Sequence, residues 1–242
     1  MAGLRTVTAT RYVTPLREGG SLPGLVEADD DGLYVLKFRG AGQGIKALVA
    51  EIVAGELARA LGLAVPEIVL MEVDPALGAA EPDPEIQDLI TGSAGTNVAL
   101  DFLPGALPYT PAAGFQPSAE LAAEVVWLDA LVTNVDRTPR NPNLLVWHER
   151  LWLIDHGAAL FFHHRSDWEP AAEAVKSFPA IAEHVLLPGA ASVAEADARL
   201  AERLTPDVVR AVVERVPADW ADAERYAEYL TRRLAAPRGW VP

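Results

Sequence analysis

The sequence predicts an α+β protein of two parts: a small β-rich N-terminal half with one main helix, and a mostly helical C-terminal half. Three observations carry this. Strand-like runs crowd the first hundred residues, and a single long helical period interrupts them. After residue 118 helical spacing dominates, apart from one hairpin. The boundary falls at the irregular stretch after Leu103, giving parts of 1–104 and 105–242.

Each element has a local reason. "TVTATRYV", Thr6 to Val13, is rich in β-branched residues and predicts a strand. "REGGSLPG" breaks it with glycines and a proline. "LVEA" and "LYVLKF" follow across the turn-like "DDDG" and complete a small antiparallel sheet. From Ile45 to Leu61 the apolar positions Ile45, Leu48, Val49, Ile52, Val53, Leu57 and Leu61 recur at helical spacing. Gly62 reads as a left-handed cap, and Pro66 prevents resumption. "EIVLMEV" is a further strand. The stretch from Asp74 to Thr96 is rich in Pro, Gly, Ala and acid, and reads as a long irregular excursion. "NVALDF" returns to strand and "LPGALPYTPAAGFQP" to irregular linker. Ser118 is a candidate N-cap for a helix whose stripe is Leu121, Val125, Leu128 and Val132. From about Ala171 the chain reads as helix, broken at Pro188–Gly189, Pro206 and Pro217.

Composition narrows the function classes. The 242 residues are half hydrophobic, enough for a substantial core. With 20 Lys plus Arg against 34 Asp plus Glu, the net charge of −14 disfavours direct nucleic-acid or anionic-membrane binding. There are no cysteines, which removes disulfides and thiolate metal sites. No secretory h-region is visible at the N-terminus, and no run approaches the roughly 20 apolar residues of a membrane span. A cytoplasmic protein is expected.

The chemistry concentrates in "NVDRTPRNPNLLVWHERLWLIDHG", residues 134–157. "NLLVW" and "LWLI" flank "HER" and predict a short hairpin. Folding it brings Asn141, before the first strand, towards Asp155, after the second. Asp136 lies one loop upstream. Two oxygen ligands with a neighbouring carboxylate suit Mg²⁺, a hard cation that keeps waters beside substrate phosphates. Asp136 is then left as a base. In phosphoryl-transfer enzymes of the protein-kinase type an Asp is followed five positions later by a metal-binding Asn, with Asp-x-Gly beyond a hairpin. Asp136 and Asn141 are five apart, and Asp155-His156-Gly157 is in register. The usual His-Arg-Asp is replaced by "NVDR". In the first half, Lys37 lies on a strand face with Leu33 and Val35, where an ammonium needs a partner. Glu51 on the following helix is the candidate and Glu56 the competing choice. Gly19, Gly20 and Ser21 are placed to cover phosphates with backbone amides.

Together "REGGS", "YVLKFRGAGQGIKALVAEIVAGELARALGLAVP", "NVDRTPRNPNLL" and "LWLIDHGAAL" resemble the compact branch of the HipA-like kinases. The resemblance spans most of residues 17–160 and implies a two-lobed protein-kinase-like fold using ATP and Mg²⁺. It implies Asp136 as catalytic aspartate, Asn141 and Asp155 as metal ligands, Lys37 as nucleotide-binding lysine and Glu51 as its ion-pair partner. "ALDFLPGA" would join the lobes, with backbone near Asp101, Phe102 and Leu103 facing adenine. The expected reaction transfers the γ-phosphate to a hydroxyl-bearing acceptor, first of all Ser or Thr of a protein. A small-molecule kinase and a non-catalytic nucleotide-binding module are the alternatives. Structural readings compete at single positions. Asn143 reads as a turn residue beside Pro142, Lys37 could guard a sheet edge, and His156 is expected to pack behind Asp155. His163 and His164 make a poor zinc set without cysteine.

Overall fold

The computed structural model describes residues 3–16, 22–79, 81–112 and 114–242. The phosphate-covering candidates Gly19, Gly20 and Ser21 lie outside the described residues. Two compact units are present: Met1–Val49 with Pro66–Pro104, and Ala50–Val65 with Gly105–Pro242.

The first unit is a five-stranded closed barrel. Its strands are β1 (Thr6–Pro15), β2 (Gly24–Ala28), β3 (Leu33–Lys37), β4 (Ile68–Val73) and β5 (Gly95–Asp101), in the order β1-β2-β3-β5-β4. A parallel pairing of β1 with β4 closes it, and the other neighbours are antiparallel. Alternation sets the inside face: Val26, Leu36, Val69, Met71 and Ala99 are fully buried. On β3, Tyr34 and Leu36 point to this core, and Lys37 shares the half-buried face with Leu33 and Val35. The sequence pattern had placed Lys37 on that face.

The stretch from Asp74 to Thr96 is more ordered than expected. Asp74 caps a 3-10 turn at Pro75–Gly78, and Asp83 accepts the Glu85 N–H at the start of α2 (Pro84–Gly92). Ile86 and Ile90, one turn apart, both enter the barrel core. The reason lies in composition. An Asp cap followed by Pro is a helix start as well as a turn signal, and α2 is too short for two apolar residues to register as a period.

Helix α1 (Ile45–Ala60) begins in the first unit and continues into the second. Gly62 ends it with φ of 78°, and the Leu63 N–H reaches back to the Ala58 carbonyl at 3.0 Å, closing a Schellman-type cap. The rest of the second unit holds a three-stranded sheet of β6 (Leu107–Pro108), β7 (Leu144–Trp147) and β8 (Arg150–Leu153). Strand β6 lies in the stretch expected to be linker. It is two residues long, below what any period can register. The helices are α3 (Ala119–Leu131), α4 (Pro170–Ala174), α5 (Val193–Leu200), α6 (Pro206–Val213) and α7 (Ala223–Leu234). Ser118 caps α3 by accepting the Leu121 N–H at 3.1 Å. At the other end of α3, buried Arg233 from α7 donates to the carbonyls of Ala130 and Leu131, both at 2.8 Å. It thereby satisfies last-turn acceptors that have no helical partner.

Candidate active site

The catalytic-loop candidates hang from a buried carboxylate on α3. Asp129 is fully buried among apolar neighbours. Its Oδ1 accepts from Asn134 Nδ2 at 3.0 Å, and its Oδ2 takes Arg137 Nε and lies 2.9 Å from His184 Nε2. Burial alone pushes this carboxyl up. The Arg137 guanidinium and His184 more than reverse that, and hold Asp129 far below the usual carboxylate range. Arg137 does more than neutralise. Its Nη1 donates to the carbonyl of Asn143 and reaches those of Pro142 and Ile154 at 3.4 Å. One guanidinium thus ties helix α3, the loop before β7 and the segment after β8. Adjacent Asp136 and Arg137 divide the work: Arg137 is 1% exposed, whereas Asp136 is half-buried at the surface of the loop.

Asp136 is oriented by amides. Its own N–H donates to Asn134 Oδ1 at 3.1 Å. Its Oδ2 accepts Asn141 Nδ2 at 2.7 Å and Asn143 Nδ2 at 3.3 Å. Among the described residues nothing donates to the other oxygen, Oδ1. Because Asn141 commits its nitrogen to Asp136, its oxygen is the atom left for a cation. Asn143 is the turn residue expected, with φ of 49°, and its carboxamide also steadies Asp136.

The hairpin brings its ends together as the sequence implies. His148 and Glu149 both take left-handed φ, the signature of a two-residue type I′ turn. Leu144 pairs with Leu153, and the Ile154 N–H donates to the Asn143 carbonyl at 3.1 Å. Asp155 follows directly, with φ of 54°. Thr133, Asn143, Asp155 and Leu160 are all left-handed non-glycine residues, and Thr133 is β-branched. Such conformations persist only where the surroundings impose them, and they gather at working sites.

Glu51 is fully buried and accepts the backbone N–H of His156 at 2.9 Å, with the His156 ring Nδ1 at 3.3 Å. His156 therefore does more than pack behind Asp155. The competing Glu56 is taken up by Arg215 and, at 3.3 Å, by Arg59. In the first unit, the Asp101 N–H donates to the Glu67 carbonyl and the Phe102 N–H to that of Leu33, both at 2.9 Å, and Leu103 is buried. Among the described residues no cluster of three or more His, Asp or Glu is placed to hold a metal. Asn141 and Asp155 each offer oxygen donors, the ligand type that hard divalent cations prefer. His163 Nδ1 is 2.9 Å from the Tyr226 hydroxyl inside the unit, a packing role.

Sequence reading missed Asp129, Arg137, His184 and Arg233. A signal for the first pair existed: a lone acid in the apolar run "VVWLDALV", eight residues before an arginine next to the catalytic candidate. His184 and Arg233 arrive from distant segments and leave no local trace.

Comparison with known proteins follows this geometry. The family model described as HipA-like kinase matches residues 10–234. A search of curated proteins finds no match. Among solved structures, the chain is similar to a Helicobacter pylori proinflammatory kinase, CtkA, with TM-score 0.61 and 12% identity over 98% of this chain and 95% of that one. It is also similar to a Golgi casein kinase solved with Mn/ADP bound, with TM-score 0.50 and 15% identity over all of this chain and 73% of that one. At these identities the structures establish a protein-kinase-like fold. No helix among the described residues is long and apolar enough to cross a membrane. The family match covers nearly the whole chain, and with it the protein belongs to the HipA-like kinases, nucleotide-binding phosphotransferases.

Proposed function

We propose that this kinase transfers the γ-phosphate of ATP to a hydroxyl group, with Ser or Thr of a protein as the acceptor. The observation that carries the reading is the state of Asp136. One carboxylate oxygen is fixed by two amides, and the other has no donor among the described residues. That is the condition of a group able to accept a proton from an incoming hydroxyl.

In this reading Asp136 orients the acceptor hydroxyl and takes its proton as the oxygen attacks the γ-phosphorus. The bond to the β–γ bridging oxygen breaks, and ADP leaves with that oxygen. Asn141 and Asp155 would hold Mg²⁺, which supplies positive charge against the phosphates. Lys37 adds a further cation for the nucleotide phosphates, and Gly19, Gly20 and Ser21 are assigned to covering them. The Asp101 and Phe102 amides are already used within the barrel, so the Leu103 amide is the donor we assign to adenine. Most of the acceleration comes from positioning and electrostatics, as for this reaction class in general.

The test is a set of variants with two readouts. Asp136→Asn binds Mg·ATP within a few-fold of wild type but loses transfer by about 10²–10⁴-fold. Asp155→Ala loses both. Wild-type turnover in Asp136→Asn removes the assigned role. Incubation with γ-labelled ATP and a cell extract decides the acceptor: label in protein supports the proposal. Label in small cationic molecules, which the net charge of −14 would suit, moves the assignment to a small-molecule kinase.

A further inference from the structure

The residue between Asp155 and Gly157 is a histidine whose ring has one polar engagement among the described residues. His156 and Glu51 side chains are both fully buried. The Glu51 carboxylate receives residue 156 twice: Oε2 takes its backbone N–H at 2.9 Å, and Oε1 lies 3.3 Å from ring Nδ1. The far ring nitrogen, Nε2, is buried with no hydrogen-bond partner among the described residues. The far side of the ring thus makes no hydrogen bond among the described residues. The ring's one polar contact is with the acid of α1, and that contact begins one residue from Asp155.

A buried carboxylate is held in one orientation only if both oxygens are engaged. The backbone N–H of residue 156 fixes one oxygen whatever side chain follows. The ring Nδ1 engages the other, so the two contacts of residue 156 act together on the rotation of the carboxylate. A ring that merely filled space would do so equally well as phenylalanine.

We propose that His156 is a positioning residue for nucleotide binding: its Nδ1–H clamps the Glu51 carboxylate and couples that acid to the Asp155 turn. The proposal rests on the kinase reading, in which Glu51 is the acid the family resemblance pairs with the nucleotide-binding lysine. His156 touches neither nucleotide nor acceptor.

The test compares three substitutions by Kd for Mg·ATP, measured with a fluorescent ATP analogue and ATP competition, alongside the melting temperature. His156→Asn places an amide nitrogen on Cγ, where Nδ1 was, and keeps the clamp. His156→Gln carries the same amide one bond further out and loses it. His156→Phe keeps the ring and loses the nitrogen. Gln and Phe should weaken Mg·ATP by about tenfold or more, the loss expected for one hydrogen bond to a charged group, and Asn should stay within about threefold. In a Glu51→Gln background the further change to His156→Gln should have little added effect, because the two act through one contact. Phenylalanine binding Mg·ATP like wild type, or Asn and Gln weakening it equally, overturns the proposal. Should the Phe variant not fold, the Asn–Gln pair decides alone. A wild-type protein that does not bind Mg·ATP removes the nucleotide reading and this proposal with it. Wild-type binding that is indifferent to His156 removes only this proposal.

Discussion

Replacing Asp129 with Asn tests whether the loop bearing Asp136 hangs from one buried ion pair. The Asp129 and Arg137 side chains are both wholly inaccessible. Removing one charge of such a pair leaves the other buried without compensation, typically costing about 3–5 kcal/mol. Two features argue for the lower end. Asn can still accept from Asn134 through Oδ1, and Arg137 keeps its carbonyl partners. A loss near 3 kcal/mol is expected at pH 7. For a chain of 242 residues this lowers Tm by roughly 6–12 °C. The pH dependence gives a second, independent check. The folded carboxyl lies below its unfolded value of about 3.9, so its stabilisation is complete above that value and is lost as pH falls beneath it. The difference between wild type and Asp129→Asn should hold steady from pH 7 to 5. It should then shrink below pH 4, by up to about 1.4 kcal/mol per pH unit. Urea denaturation of both proteins across that range measures it. A difference under about 1 kcal/mol at pH 7, or one that does not change as far down in pH as both stay folded, refutes the ion-pair argument.

Two further substitutions probe the parts that sequence reading did not foresee. Ile90→Ala removes a wholly buried side chain from the barrel core and should cost about 2–5 kcal/mol by chemical denaturation. An unchanged midpoint would detach α2 from that core. Arg233→Met keeps the length of the side chain but strips donors from the carbonyls of Ala130, Leu131, Ala174 and Lys176. With several acceptors left dry, at least about 3 kcal/mol should be lost in the same assay, and near-neutral behaviour would mean that water replaces the guanidinium.

What was legible in the sequence follows a physical division. Elements whose information is local were readable. Strand β1 follows its β-branched residues, α1 follows its period up to the Gly62 cap, and the Leu144–Leu153 hairpin follows two apolar runs around a tight turn. The spacing of five put Asp136 and Asn141 on one short loop, and the hydrogen bond that joins them there is a finding the sequence reading did not foresee. Illegible were contacts whose second member comes from far along the chain. His184 reaches Asp129 across 55 positions, and Arg233 reaches Ala130 across 103. Neither residue looks unusual in its own segment. Helix α2 failed for the opposite reason, since its local signals were strong but were those of a turn.

The same division separates what the loop does from what holds it. Asp136 and Asn141 stand out in the sequence because the chemistry proposed for them constrains type and spacing together. Their supports are not recognisable, because any buried donor with enough reach could satisfy the same carbonyls. Arg137 spans both categories. It is adjacent to Asp136, yet its guanidinium turns inward to Asp129 and to the carbonyls of Asn143 and Ile154. Consecutive residues facing opposite ways give the loop a stiff base under a half-exposed carboxylate. A shift of the hairpin would have to carry Arg137, and so Asp136, along with it. The base and the segment bearing Asp155 are thus tied together within this unit, as the positioning in the proposed mechanism requires.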